Sequence, residues 1–130
     1  MSRKKQVLKL LLIAAFALNL HAQEETIKES SYNFTKINIG KGKPNFLEIG
    51  SDSCHGCKVM GKTLYKVSKE NPNYNIDYIN ISKDRSLAQS LQISMIPTQI
   101  IYDKNGKEVF RHMGVIPETE LMELLKTHKF

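Results

Sequence analysis

The stretch that decides the reading is Asn45-Phe46-Leu47-Glu48-Ile49, then Gly50-Ser51-Asp52-Ser53, then Cys54-His55-Gly56-Cys57-Lys58. A short apolar run predicts a buried strand, and the cysteine pair stands where that strand ends and a helix begins. Cys54 and Cys57 are the only cysteines of the chain, so no zinc ribbon, iron–sulfur cradle or multi-bridge disulfide framework can form. Two thiols separated by two residues in one helical turn can close a reversible bridge. A thiol at a helix N-terminus is also biased toward the thiolate. A static staple is a poor explanation, because so short a loop removes almost no chain entropy. The pair predicts dithiol–disulfide exchange.

Working outward, Gly40-Lys41-Gly42-Lys43-Pro44 is a turn into the first strand. After Cys54 a helix is predicted through about Lys69, with Val59, Met60, Leu64 and Val67 on its inner face and Asn71-Pro72-Asn73 as its stop. Tyr74 to Ile81 alternates as a second strand. Ser82 to Gln92 holds a short helix with Leu87, Ala88 and Leu91 inward, and Thr98 to Tyr102 is a third strand. Asp103-Lys104-Asn105-Gly106 reads as a two-residue hairpin loop, with Asn-Gly in positive φ. Glu108 to His112 returns, and Pro117 to Lys126 closes as a helix. Residues 23–43 are ambiguous: Ile27, Tyr32, Phe34, Ile37 and Ile39 suit either a short helix or an edge strand. The β/α alternation predicts an α/β domain.

The 130 residues suffice for one domain. The net charge of +6 is concentrated at the start, where Arg3, Lys4, Lys5 and Lys9 meet no acid. Without those four, 15 basic residues face 13 acidic ones. That balance, with no tryptophan and no aromatic-basic stripe, excludes a nucleic-acid partner. Ser2-Arg3-Lys4-Lys5 followed by apolar Val7–Leu20 and by Leu20-His21-Ala22 is the pattern of an export signal. The expected division is a signal peptide over 1–22 and a domain over 23–130. Fourteen residues interrupted by Lys9 and Asn19 fall short of the roughly 20 that span a bilayer, so no stable membrane insertion is expected after cleavage. The expected location is periplasmic, where disulfides persist.

Taken together, Phe46-Leu47-Glu48-Ile49, Cys54-His55-Gly56-Cys57-Lys58, Ile96-Pro97-Thr98 and Gly114 resemble the thioredoxin family, from about Lys43 to Leu125. The resemblance implies a thioredoxin fold, an α/β domain with a central mixed β-sheet flanked by helices on both faces. It makes Cys54 and Cys57 the catalytic pair, Pro97 a cis-proline that meets substrate backbone, and Gly114 the glycine beside the groove. Glu48 takes the place of the family's buried acid. Three departures stand out. Ser53 replaces the usual tryptophan, Gly50 occupies a position where an aromatic is common, and the lysine that often faces the acid falls near Tyr78.

On this footing Cys54 is the exposed attacking thiol and Cys57 the shielded resolving one. Glu48 either relays a proton to and from Cys57 as a buried carboxyl or points to water from an edge strand. His55 is either a cationic neighbour of Cys54 or a solvent-facing spacer. Ile96, before the proline, offers no hydroxyl to a thiolate, which favours a reductase. The expected partners are protein dithiols or disulfides and an upstream thiol–disulfide electron donor, with a monomeric protein and no bound cofactor. Alternatives are a periplasmic disulfide-forming oxidant, a non-catalytic binding module, and a copper(I) metallochaperone using Cys54, His55, Cys57, Met60, Met95 and Met113. Zinc lacks a second ligand pair, and c-type haem needs a histidine where Lys58 stands.

Overall fold

The computed structural model describes residues 2–9 and 25–130. Most of the Val7–Leu20 stretch and the expected cleavage point after Ala22 lie outside them. Among the described residues no helix is long and apolar enough to cross a membrane.

Over the described residues 25–130, eight elements follow in order: α1 (Tyr32–Asn38), β1 (Asn45–Gly50), α2 (His55–Glu70), β2 (Asn75–Asn80), α3 (Arg85–Ser90), β3 (Thr98–Tyr102), β4 (Glu108–Met113) and α4 (Glu118–Thr127). The sheet order is β2-β1-β3-β4. β1 and β2 run parallel, which a crossover through α2 requires, while β3 is antiparallel to both β1 and β4. β1 is therefore interior and all six of its residues are buried. This removes the edge-strand reading of Glu48.

Alternation along β1 sends Phe46 to one face and Leu47 and Ile49 to the other. Phe46 and Ile101 pack with Met60, Leu64 and Val67 of α2 and Leu121 and Leu125 of α4. Leu47, Ile49, Ile79 and Ile100 pack with Leu91, flanked by Tyr32, Ile39 and Leu87. Helices thus cover both faces.

α2 ends where expected. The Asn71 backbone N–H and its Nδ2 both donate to the Val67 carbonyl, at 2.9 and 3.0 Å, and Pro72 follows. Val59, expected on the inner face, is instead 39% exposed. The buried stripe is Cys57, Met60, Gly61, Leu64 and Val67, and Val59 lies off that stripe. Of the ambiguous N-terminal apolar residues, Ile27, Tyr32 and Ile39 pack against the core, whereas Phe34 and Ile37 on α1 are exposed. The segment before α1 also joins the sheet edge: Glu29 bridges Tyr78 in parallel, and Ser30 N–H donates to the Tyr78 carbonyl at 2.8 Å.

The hairpin differs from the expected two-residue loop. Gly106 has positive φ (86°) but Asn105 does not. The Asp103 carbonyl accepts from Gly106 N–H at 2.9 Å, and Asp103 N–H donates to the Lys107 carbonyl at 2.8 Å. This is a three-residue loop with a left-handed glycine. The Asp103 carboxylate also accepts from Asn105 and Lys107 N–H, supporting that longer turn.

Candidate functional site

The cysteines occupy the junction that the fold builds between β1 and α2. Cys54 is the N-cap of α2 in extended conformation, and its Sγ accepts from Cys57 N–H at 3.2 Å. The two residues are joined in a disulfide, with Cα atoms 5.2 Å apart. Cys54 is half-buried, while Cys57, one turn in, is only 4% exposed. Cys57 nests against the strand because Gly50 carries no side chain. A Cβ there would lie 2.8 Å from Cys57 Sγ and 3.0 Å from Tyr78 Cε2. An aromatic at this position would displace the thiol, so the departure at Gly50 and the seating of Cys57 are one feature.

Pro97 faces the pair: a Cβ on Gly56 would meet Pro97 Cδ at 3.2 Å and Val115 Cγ2 at 3.3 Å. The Ile96–Pro97 peptide is cis. The Pro97 carbonyl accepts from Gly114 N–H at 2.8 Å, and Gly114 has φ 101°, the left-handed region that glycine tolerates. Met95, Met113 and Val115 expose apolar surface around this loop. His55 is exposed at the first turn of α2.

Glu48 is fully buried on the same face as Gly50, two residues further from Cys57. Burial pushes its carboxyl up from the ordinary 4.5 to about 8, and a hydrogen bond from Gln99 opposes the rise. Gln99 Nε2 donates to Glu48 Oε2 at 3.1 Å, with Oε1 at 3.4 Å, and to the Gly114 carbonyl at 2.9 Å. Gln99 Oε1 lies 2.8 Å from His112 Nδ1. Opposite Glu48 on the other flank stands Tyr78, whose hydroxyl is pushed up to about 12 by burial and by the negative charges of Asp52, Glu29 and Glu48. A cleft of about 250 Å³ reaches Cys57 from this side, between Asp52, Lys58, Lys62 and Tyr78.

Cys54, Cys57, Glu48, Pro97 and Gly114 are thus gathered in one place. Gln99 and His112 escaped the sequence reading. The available signal was a polar residue within the apolar run Thr98–Tyr102, the same irregularity that marked Glu48. The methionines of the copper alternative are engaged separately. Met60 Sδ accepts from Ile116 N–H at 3.3 Å inside the core, and Met113 Sδ accepts from the Ser94 hydroxyl at 3.5 Å. Among the described residues no cluster of three or more His, Cys, Asp or Glu side chains could hold a metal ion.

A redox disulfide at a helix N-terminus, its inner sulfur buried against the central strand, defines a dithiol–disulfide oxidoreductase. A model of the thioredoxin-like domain matches residues 33–129. Over 99 residues the chain is 32% identical to a thioredoxin of Chlamydia pneumoniae, covering 76% of this chain and 94% of that one. A thioredoxin of Mycoplasmoides gallisepticum is 29% identical over 88 residues, 68% of this chain and 87% of its own. Among solved structures, Fasciola hepatica thioredoxin superposes with a TM-score of 0.65 at 26% identity, covering 75% of this chain and 91% of its own. Chloroplastic thioredoxin z gives 0.70 at 18% identity, covering 82% and 97%. The chain belongs to the thioredoxin family.

Proposed function

We propose that the protein is an exported reductase of protein disulfides. The observation that carries the reading is the asymmetry of the pair: Cys54 open to a partner, Cys57 buried over a strand that also buries Glu48. In the reduced protein, Cys54 thiolate attacks one sulfur of a substrate disulfide, forming a mixed disulfide and releasing the first substrate thiolate. Cys57 then gives its proton to the Glu48 carboxylate and, as thiolate, attacks Cys54 Sγ. The Cys54–Cys57 bond forms, the second substrate thiolate leaves and takes up a proton, and two electrons have passed to the substrate. An upstream dithiol returns the pair to its reduced form by the reverse steps. With its carboxyl near 8, Glu48 is roughly one-tenth ionised at pH 7, so the release step should quicken as pH rises toward 8.

The loop of Ile96, Pro97 and Gly114 supplies the surface that meets substrate backbone. Two features support the reducing direction. Ile96 offers no hydroxyl to stabilise a Cys54 thiolate, and buried Glu48, to the extent that it is ionised, disfavours a second negative charge nearby. Both raise the free energy of the reduced form. The basic start followed by Val7–Leu20 supports export to the periplasm.

Trapping tests the division of labour. Cys57→Ser should accumulate mixed disulfides with partner proteins, Cys54→Ser should lose all disulfide reduction, and alkylation at pH 7 should reach Cys54 first. Faster labelling of Cys57 would overturn the assignment. Equilibration against glutathione tests direction: a potential near the −270 mV typical of thioredoxin is expected, roughly, and one more oxidising than about −150 mV would make the protein an oxidant. Export is tested by the N-terminus of the protein recovered from the periplasm, expected near Gln23.

A further inference from the structure

Across one face of the sheet, register places four polar side chains in a line: Tyr78 on β2, Glu48 on β1, Gln99 on β3 and His112 on β4. Glu48 and Gln99 are both fully buried. A carboxyl and a primary amide can share such a site in two ways, with the amide offering either its nitrogen or its oxygen to the acid. Here the choice is made elsewhere. The Gly114 carbonyl only accepts, so the amide nitrogen must face it, at 2.9 Å. The remaining N–H of that nitrogen is then directed at Glu48. The amide oxygen is left facing His112 Nδ1 at 2.8 Å, so that ring nitrogen must carry a hydrogen and donate. Every donor and acceptor of Gln99 is used, and neither clamp depends on whether Glu48 is ionised.

We propose that Gln99, clamped by Gly114 and His112, is a positioning residue that keeps an N–H donor fixed on Glu48 and so favours its carboxylate form. The donor is in place before the proton moves, and the amide need not rotate as the acid titrates. His112, half-buried on the edge strand and stacked with Phe110 at 6.4 Å, acts only through Gln99. Tyr78 on β2 pairs with Glu48 across the sheet, and Cys57 from α2 packs against Gly50, the next residue of β1 on the same face. Further out, Glu29, Asp52, Lys58 and Lys62 line the cleft beside Tyr78. The rate consequence rests on the reading of Glu48 as proton acceptor for Cys57; the hydrogen-bond device itself does not.

The test titrates the Glu48 carboxyl directly, by carbon-13 NMR of the oxidised full-length domain, in the parent, in Gln99→Met and in His112→Phe. Methionine keeps length and removes the amide. Loss of a hydrogen bond to a charged group should raise the Glu48 midpoint by about one pH unit or more in Gln99→Met, and by less in His112→Phe. The rise of disulfide-reduction rate with pH should move up by the same amount. A midpoint that moves while the rate profile stays put supports the Gln99 device and overturns Glu48 as the proton acceptor. An unmoved midpoint in folded Gln99→Met overturns the proposal, and an unmoved midpoint in His112→Phe alone overturns the His112 clamp. Should Gln99→Met fail to fold, His112→Phe decides: a raised midpoint supports the device and an unchanged one sinks it.

Discussion

Two adjacent rows on the same face of the sheet, drawn from the same four strands, do opposite things. Ile76, Phe46, Ile101 and Phe110 form an apolar row, in which Phe46 and Ile101 are fully buried against α2 and α4. One pleat repeat along, Tyr78, Glu48, Gln99 and His112 form a polar row with the same central burial. In the first, burial is the favourable term, since removing apolar area from water stabilises without regard to direction. In the second, the same exclusion of water costs free energy and must be offset by directed hydrogen bonds. The core and the perturbed acid are thus products of one act of burial. The lesson is that this fold needs no separate pocket to perturb a carboxyl; it extends its core by one row and changes the side chains.

The comparison is broken most severely in the apolar row. Phe46→Ala should cost about 3–5 kcal/mol of stability, read by urea unfolding, while the folded fraction keeps the pH dependence of the parent. A loss confined to activity would mean that the rows are not separable as described.

Glu48→Gln should act in the other sense and depend on pH. The native state holds a proton that the unfolded chain gives up, because the carboxyl lies at about 8 against an ordinary 4.5. Its destabilising effect is absent below about pH 4.5, grows through the interval, and is complete above about 8. The glutamine variant should therefore match the parent at pH 4 and exceed it by a few kcal/mol, in order of magnitude, at pH 9. A stability difference that is flat with pH would show that Glu48 is not held protonated. The same variant should slow release of the mixed disulfide.

Gly50→Ala introduces a methyl where Cys57 Sγ would be 2.8 Å away, so the thiol or the strand must shift. A loss of about 1–3 kcal/mol is expected, together with slower closure of the Cys54–Cys57 bond in a stopped-flow assay. Unchanged closure would mean that the helix yields without moving the sulfur. The smallest effect belongs to Tyr78→Phe, at the far end of the polar row from Gln99. Stability should change by less than about 1 kcal/mol, and the Glu48 midpoint by less than in Gln99→Met. A larger movement would make Tyr78, not Gln99, the dominant neighbour of the acid.

Much of the scaffold was legible because its signals are short-range. The bounds of Thr98–Tyr102 follow from an apolar run between Pro97 and a turn, and the end of α2 from Asn71-Pro72. Val59 was misplaced because an apolar residue beside the stripe has the same local pattern as one within it; only the direction of packing against β1 separates them. α1 was ambiguous for a related reason. Its N-cap makes no side-chain hydrogen bond, and what holds it is the docking of Tyr32 and Ile39 on the core.

The spacing of Cys54 and Cys57, the glycine that admits the inner thiol and the proline loop are written within a few residues of one another or in one recognisable set of motifs. Chain connectivity alone carries the cysteine spacing, whereas Pro97, 40 residues beyond Cys57, was legible only as part of the motif set and meets the pair through the fold. The partners of Glu48 are not local. Gln99 lies 51 residues away, and His112 a further 13. They meet because β3 inserts beside β1 and β4 beside β3, in a register that a shift of one residue would invert. The sequence by itself determined that an acid would lie in the strand before the cysteines. Only the order and register of the sheet decided that it would be interior, desolvated and given a fixed amide donor, since desolvation and hydrogen-bond direction exist only once distant strands are side by side.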